Sequence, residues 1–100
     1  MKNFRFHPEA DIELLEQRDY YDLKEPGLGK GFVLLVYKSI ADICAMPHSF
    51  PKKYGVQHCY MQVFPFDLVF EEFDTEIVIW AIAHTSRFPG YYRMRIREGL

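Results

Sequence analysis

The sequence predicts an α+β fold in which an N-terminal strand precedes an antiparallel helical hairpin and a three-stranded antiparallel meander. Residues 3–7 alternate between aromatic and polar side chains, as a short strand would. Two long segments between residues 8 and 46 place apolar residues at helical spacing, and three short apolar segments follow between residues 57 and 83. A helical hairpin on one face of a small sheet buries both apolar surfaces, so we expect the other sheet face to be free.

The bounds of the helices come from their end signals. The first helix is predicted over Pro8–Lys24, because proline suits the first helical position and acids favour the positive end of the helix dipole. Glu-Pro-Gly at residues 25–27 ends it. The second helix is predicted over Leu28–Met46 and ends before Pro47. The connection is only a few residues long, so the two helices should run antiparallel.

The meander is predicted from three strand-like segments, Gln57–Phe64, Asp67–Phe73 and Ile77–Ala83. Residues 47–55 before them contain two prolines and a glycine and are predicted to be a loop. The middle strand has side chains of different polarity on its two faces, so we expect it to be half-buried. The last strand has no polar position, which predicts a central strand covered on both faces.

The composition predicts one domain over residues 1–100. Of these 100 residues 49% are hydrophobic, and the net charge of −2 argues against a protein wholly wrapped by nucleic acid. Cys44 and Cys59 are too few for a disulfide framework, so we expect free thiols and Cys44 packed as a small apolar residue. No ligand set at metal spacing accompanies them, although the pair His58-Cys59 leaves a metal site as a minor alternative. We expect neither metal nor cofactor.

The apolar runs are short. The longest are about seven residues, against roughly 20 needed to cross a bilayer. The N-terminus reaches a proline and several acids before any apolar stretch, which is unlike a signal peptide. We therefore expect a cytoplasmic protein without membrane contact.

Positive charge is concentrated at the C-terminus. The apolar run Ile77–Ala83 leads into a segment from His84 to Arg97 that contains four arginines and no carboxylate. A buried strand that delivers arginines and paired tyrosines to one place is typical of a site for an anion or a nucleic acid.

The order of elements and several short motifs resemble the RelE/ParE superfamily, the toxins of bacterial type II toxin–antitoxin systems. The residues that carry the resemblance are Tyr20-Tyr21-Asp22, Pro26-Gly27-Leu28-Gly29, Phe32, Pro47, Phe50-Pro51, Phe64-Pro65-Phe66, Ala81-Ile82-Ala83-His84, Arg87, Pro89, Tyr92 and Arg95. The ending is similar to the ParE-type pattern of a strand closed by histidine, then Arg-x-Pro, an aromatic residue and a last arginine. Tyr92 stands where this motif commonly has tryptophan.

The resemblance implies a growth-inhibiting toxin of the plasmid-stabilisation type that is neutralised by a cognate antitoxin protein, as a dimer or as a heterotetramer with the antitoxin. The implied target is DNA gyrase or, for an endoribonuclease of the RelE type, ribosome-bound mRNA. Asp67 lies in the strand where RNA-cleaving relatives often have arginine, and residues 57–59 lack the basic side chains common there, so gyrase is favoured. A non-toxic interaction module that retains only antitoxin binding is the further alternative.

The candidate catalytic residues are Arg87, His84, Tyr91 and Tyr92. Arg87 could clamp a phosphate, His84 could titrate near neutral pH, and a tyrosine could stack on a base or act as an acid. The candidate contacts to a target or nucleic acid are Lys52, Lys53, Arg93, Arg95 and Arg97. Structural roles remain open: His84 could cap the strand, the tyrosines could pack against the sheet, and the lysines could simply be solvated.

Overall fold

The computed structural model describes residues 2–100 and has the predicted order of elements. The strands are β1 (Asn3–Phe6), β2 (Lys52–Lys53), β3 (Val56–Tyr60), β4 (Phe66–Glu72) and β5 (Glu76–His84). The helices are α1 (Pro8–Lys24), α2 (Leu28–Ala45) and α3 (Arg93–Glu98), with 3-10 turns at Pro47–Ser49 and Pro89–Tyr92. The sequence did not predict β2 or α3. Of the helices within residues 2–100, none is long and apolar enough to cross a membrane.

The five strands form one mixed sheet in the order β1-β5-β4-β3-β2. β1 is parallel to β5, because the helical hairpin carries the chain across the sheet between them, and all the other pairs are antiparallel. β5 is an interior strand between β1 and β4, and residues 77–83 are buried throughout. The predicted α+β class and the interior, doubly covered last strand are therefore confirmed.

The helical hairpin packs on one face of the sheet. The buried residues of α2 are spaced by three or four positions, as predicted, and meet the inward side chains of β4 and β5. The fully buried side chains of this core include Phe32, Val36, Ile40, Ile43, Phe66, Leu68, Phe70, Ile77 and Ile79. Cys44 packs here with 5% of its surface exposed, in the small apolar role predicted for it.

The connection between the helices depends on a close approach at Gly29. A Cβ atom placed there would overlap the carbonyl oxygen of Arg18 and lie 2.8 Å from the Asp22 carboxylate. The Gly29 amide donates to that carboxylate over 2.8 Å, which satisfies one of the first amides of α2. Glycine at this position lets α1 and α2 come together at their junction.

The first strand of the meander ends earlier than predicted. β3 stops at Tyr60, not at Phe64, because the Met61 amide donates to the Phe66 carbonyl over 2.9 Å and begins the turn to β4. Phe64 leaves the sheet and packs against Phe32 and Tyr21 in the helical core. Phe64 is therefore apolar because it packs in the helical core, and not because it belongs to a strand.

The second sheet face is covered, which contradicts the expectation that it would be free. Beyond β5 the chain turns back, so that Tyr92 and Ile96 pack over Val69 and Trp80. The prediction that β4 is half-buried is wrong for the same reason: residues 66–70 are all buried, Asp67 among them. A second, smaller core thus lies beneath the C-terminal segment.

An ion pair completes the edge of β5 where β1 ends. The last hydrogen bond from the β1 side runs from the His7 amide to the Ile79 carbonyl. Beyond it, the Glu13 carboxylate accepts from the Ile82 amide over 2.9 Å, and Arg95 donates to the Trp80 carbonyl over 3.1 Å. Arg95 and Glu13 also bond to each other over 2.7 Å. Side chains from α1 and α3 thus take the place of a neighbouring strand.

Candidate functional site

A cleft of about 320 Å³ lies where β5 ends and the C-terminal segment begins. We call it the strand-end cleft, and its walls are formed by Lys53, Tyr54, His58, Tyr60, Asp67, Ala83, His84, Thr85, Arg87, Pro89 and Tyr92. It brings together four of the predicted site residues, Lys53, His84, Arg87 and Tyr92. The other five, Lys52, Tyr91, Arg93, Arg95 and Arg97, lie outside its walls.

His84 is the last residue of β5 and is exposed. Its Nδ1 atom accepts from the Ser86 amide over 3.1 Å and lies 2.7 Å from the Ser86 hydroxyl. Because a backbone amide can only donate, Nδ1 carries no proton in this arrangement, and the neutral ring holds its proton on Nε2. His84 therefore caps the strand, and its ring packs edge-on against Phe66 with 5.2 Å between the ring centroids.

The guanidinium of Arg87 lies over the ring of Tyr91. Its guanidinium carbon is 3.5 Å from the ring centroid, and that of Arg95 is 5.1 Å from it. Burial raises the pKa of the Tyr91 phenol, and the nearby Glu13 carboxylate adds to the effect. Tyr91 is therefore a poor proton donor near neutral pH and instead serves as a surface on which Arg87 is ordered.

Tyr92 belongs to the second core. Only 3% of its surface is exposed, and burial raises the pKa of its phenol, followed by the effect of Asp67. Both tyrosines thus pack against the sheet, which was the structural alternative for them. Tyr92 reaches the cleft as part of its wall.

The basic residues divide into exposed and buried ones. Lys52 and Lys53 form the two-residue strand β2 and are exposed, as are Arg93 and Arg97 on α3. Arg95 differs, because its side chain is only 9% exposed and its guanidinium bonds to Glu13, with Glu9 3.5 Å away. The expectation that Arg95 contacts a target directly does not fit this placement, because its donors are used within the fold.

The sequence did not reveal a buried pair between His58 and Asp67. The His58 Nδ1 atom lies 2.6 Å from the Asp67 Oδ2 atom, and its Nε2 atom lies 2.9 Å from the Lys53 carbonyl oxygen. His58 is 2% exposed and Asp67 8% exposed. Burial raises the pKa of the Asp67 carboxyl, and the hydrogen bond from His58 opposes this rise.

The sequence contains both residues of the pair, but they can be recognised as neighbours only when the register of β3 and β4 is known. In the observed register Tyr60 faces Asp67 and His58 faces Val69, so His58 and Asp67 are diagonal neighbours on one sheet face. The predicted strand extended to Phe64, which placed the hairpin turn too late. With the wrong turn, the register could not bring the two side chains together.

Neither a metal nor a disulfide site is formed by residues 2–100. No group of three or more His, Cys, Asp or Glu side chains in this part of the chain could hold a metal ion. Cys44 and Cys59 are both free and buried. Burial raises the pKa of the Cys59 thiol to about 11, so this thiol is protonated and unreactive near neutral pH.

Comparison of the sequence with protein-family profiles and with curated proteins found no match. Comparison with solved structures found a chain of the structure titled "Chromosomal ParDE TA system from P. aeruginosa". The two chains share 18% sequence identity and superpose with a TM-score of 0.75, over 86% of this chain and 98% of that chain. At this identity the likeness shows a common fold, and it agrees with the fold implied by the resemblance to the RelE/ParE superfamily.

Proposed function

We propose that this chain is the toxin of a type II toxin–antitoxin system, that a cognate antitoxin protein neutralises it, and that its target is DNA gyrase. The observation that carries the proposal is the likeness to a chain of a ParDE TA system over 98% of that chain's length. The motifs of the sequence support it independently, because their order along the chain is that of the same superfamily. The proposal places the protein in the cytoplasm, as a dimer or in a heterotetramer with the antitoxin.

The chemistry of the strand-end cleft favours gyrase over RNA as the target. Metal-free RNA cleavage needs a base for the 2′-hydroxyl, an acid for the leaving oxygen and cations around the phosphorane. Both nitrogens of His58 are occupied by hydrogen bonds within the fold. The raised pKa values of Tyr91 and Tyr92 make both phenols weak acids. Of the candidate catalytic residues, His84 is thus the one left to transfer a proton, whereas RNA cleavage needs both an acid and a base.

Ribosome-dependent mRNA cleavage is the second candidate, and one observation favours it. Lys53 and Arg87 line one cleft together with His84, so two cations and a histidine lie at its walls. In this alternative Arg87 and Lys53 would hold the phosphate and His84 would transfer a proton. An interaction module without toxicity would use the same surface only to bind the antitoxin.

The experiment is controlled expression of the chain followed by two assays of the purified protein. We expect growth to stop on induction, supercoiling by purified DNA gyrase to be inhibited, and ribosome-bound mRNA to remain intact. Co-expression of the small protein encoded beside it should restore growth. Intact supercoiling with cleaved mRNA would replace the proposal by the nuclease, and a harmless protein that still binds its neighbour would replace it by the interaction module.

A further inference from the structure

We propose that His58 and Asp67 are a positioning pair that holds a strained hairpin turn, and with it Lys53 and Tyr54, at the rim of the strand-end cleft. The pair, the turn and the cleft lie on the same sheet face. That the turn takes part in target recognition rests on the proposed function. That the pair holds the turn rests only on the geometry below.

The turn between β2 and β3 has an unusual backbone. Lys53 pairs with Val56, so the loop contains only Tyr54 and Gly55, and their φ angles are 58° and 80°. Two positive φ values are the pattern of a type I′ hairpin, in which Asn-Gly is strongly preferred. Tyr54 is the one non-glycine residue with positive φ within residues 2–100. Its side chain makes this conformation unfavourable, so other contacts must hold it.

The His58 ring supplies such a contact at the right position. Its Nε2–H donates to the carbonyl oxygen of Lys53, which belongs to the peptide group directly before Tyr54. This bond fixes the plane of that peptide and therefore restricts the φ angle of Tyr54. The ring stacks on Tyr60 with 9° between the planes and a centroid distance of 5.8 Å, and it meets the edge of the Tyr54 ring.

Asp67 anchors the His58 ring to the sheet. It lies on β4, which has a strand on each side, so its position is set by a rigid part of the fold. The 2.6 Å contact between Nδ1 and Oδ2 requires a proton between the two atoms, because two lone pairs would repel each other. A carbonyl can only accept, so Nε2 carries a second proton. The pair is therefore neutral as a whole.

This neutrality matters for the cleft. Asp67 is balanced within the pair and does not cancel the positive charges of Lys53 and Arg87. The charged and titratable groups that line the cleft around the pair are Lys53 and Tyr54 from the turn, Tyr60 from β3, and His84, Arg87 and Tyr92 from the C-terminal side. The aspartate that seemed to weaken an anion site instead helps to place one of its cations.

The test uses the full chain with His58→Phe and Asp67→Leu combined. This variant keeps an aromatic ring on Tyr60 and leaves no buried carboxylate without a partner. We expect hydrogen exchange of the buried Val56 amide, which pairs with Lys53 across the turn, to become at least about tenfold faster relative to amides of β4 and β5, as the loss of a typical hydrogen bond implies. Unchanged relative exchange would overturn the proposal.

Addition of Tyr54→Asn to this double variant should restore a stable turn. Asparagine tolerates positive φ, so the turn should no longer need the pair, and exchange at Val56 should return to within about threefold of its original rate. Continued fast exchange would mean that the pair does not act on the strain at Tyr54, and would overturn the proposal.

A measurement on the unchanged protein removes the dependence on folding of the variants. Nitrogen-15 spectra should show a His58 Nε2–H that is protected from solvent, and a second protected proton shared by Nδ1 and Asp67. A ring whose protons exchange freely would contradict the pair. An unchanged chain that fails to arrest growth would overturn the toxin function alone, whereas the exchange and nitrogen-15 results decide the positioning pair in either case.

Discussion

Arg87 is ordered by an aromatic ring, which explains how an exposed arginine can present its donors in one direction. Its guanidinium carbon lies 3.5 Å from the Tyr91 ring centroid, well inside the range of a cation–π contact. Stacking uses the face of the guanidinium and leaves its in-plane N–H groups available for an anion or a partner. The residue that was predicted as an acid is thus better understood as a support for the predicted clamp.

This support can be measured with a double-mutant cycle of Arg87→Ala and Tyr91→Leu in urea unfolding. We expect a coupling of about 0.5–1 kcal/mol, because the pair is exposed on the Arg87 side. Tyr91→Phe is the matched control, since it keeps the ring, and should preserve the coupling with Arg87. No coupling in the first cycle, or its loss in the control, would contradict the stacking role.

Cys59 gives the clearest dependence on pH. Burial raises the pKa of its thiol from the ordinary value of 9.0 to about 11. Between these pH values the folded chain keeps a proton that the unfolded chain releases, so the contribution of Cys59 to stability is complete below pH 9 and is lost as the pH rises towards 11. We expect a loss of about 2–3 kcal/mol over this range. Urea unfolding of the original chain and of Cys59→Ala should diverge in slope there, and parallel pH profiles would contradict the assignment.

At the scale of elements, the spacing of apolar residues correctly predicted the helices and the strand whose form is set by their own local sequence. The two helices and the central strand carry their own pattern, and Gly27 and Pro47 mark the helix ends within the chain itself. The helix α3 was missed because it has only six residues and is rich in arginine, with one apolar side chain, Ile96, packed on the second core. The role of Arg95 was missed because its partner Glu13 lies 82 positions away.

The Glu13–Arg95 pair should be among the most sensitive features of the fold. Removal of Arg95 leaves the Glu13 carboxylate without its counter-charge and frees the Trp80 carbonyl, whereas removal of Glu13 frees the Ile82 amide. We expect Arg95→Met to cost about 3–5 kcal/mol and to expose the β5 edge. Chemical denaturation measures the first effect, and amide exchange at Ile82 measures the second in Glu13→Met, which removes the acceptor of that amide. Arg97→Met, an exposed neighbour on the same helix, should change stability by less than about 0.5 kcal/mol.

A pair of glycines in α2 tests the helical hairpin. Gly29→Ala would force a Cβ atom onto the Arg18 carbonyl, so we expect it to destabilise the fold by about 1–3 kcal/mol. Gly31→Ala has open space and should instead stabilise the helix by up to about 1 kcal/mol. Thermal unfolding of both variants compares the same chemical change at two nearby sites. Equal shifts of the midpoint would contradict the close approach of the helices.

At the scale of the whole molecule, the two faces of the sheet are covered by different parts of the chain. The helical hairpin covers one face and forms the larger core, while the C-terminal segment and the β2–β3 turn surround the cleft on the other. Composition alone could not show this, because the net charge of −2 averages over both sides. The basic residues that the sequence placed in separate segments meet only when β5 brings its end beside the turn, and this depends on register.

Because the cleft lies on one face of the sheet, we expect two positive charges in the cleft to affect target binding more than two positive charges on the helical face. Under the proposed function, Lys53→Gln combined with Arg87→Gln should weaken binding of the proposed target at least about tenfold, because a hydrogen bond to a charged group contributes about 1.5–3 kcal/mol. Growth arrest on induction and binding to purified gyrase are the measurements. Lys30→Gln combined with Lys38→Gln removes the same charge from exposed positions of α2 and should leave both unchanged. Equal losses in the two variants would attribute the effect to net charge, and the cleft would then not be the surface that the target contacts.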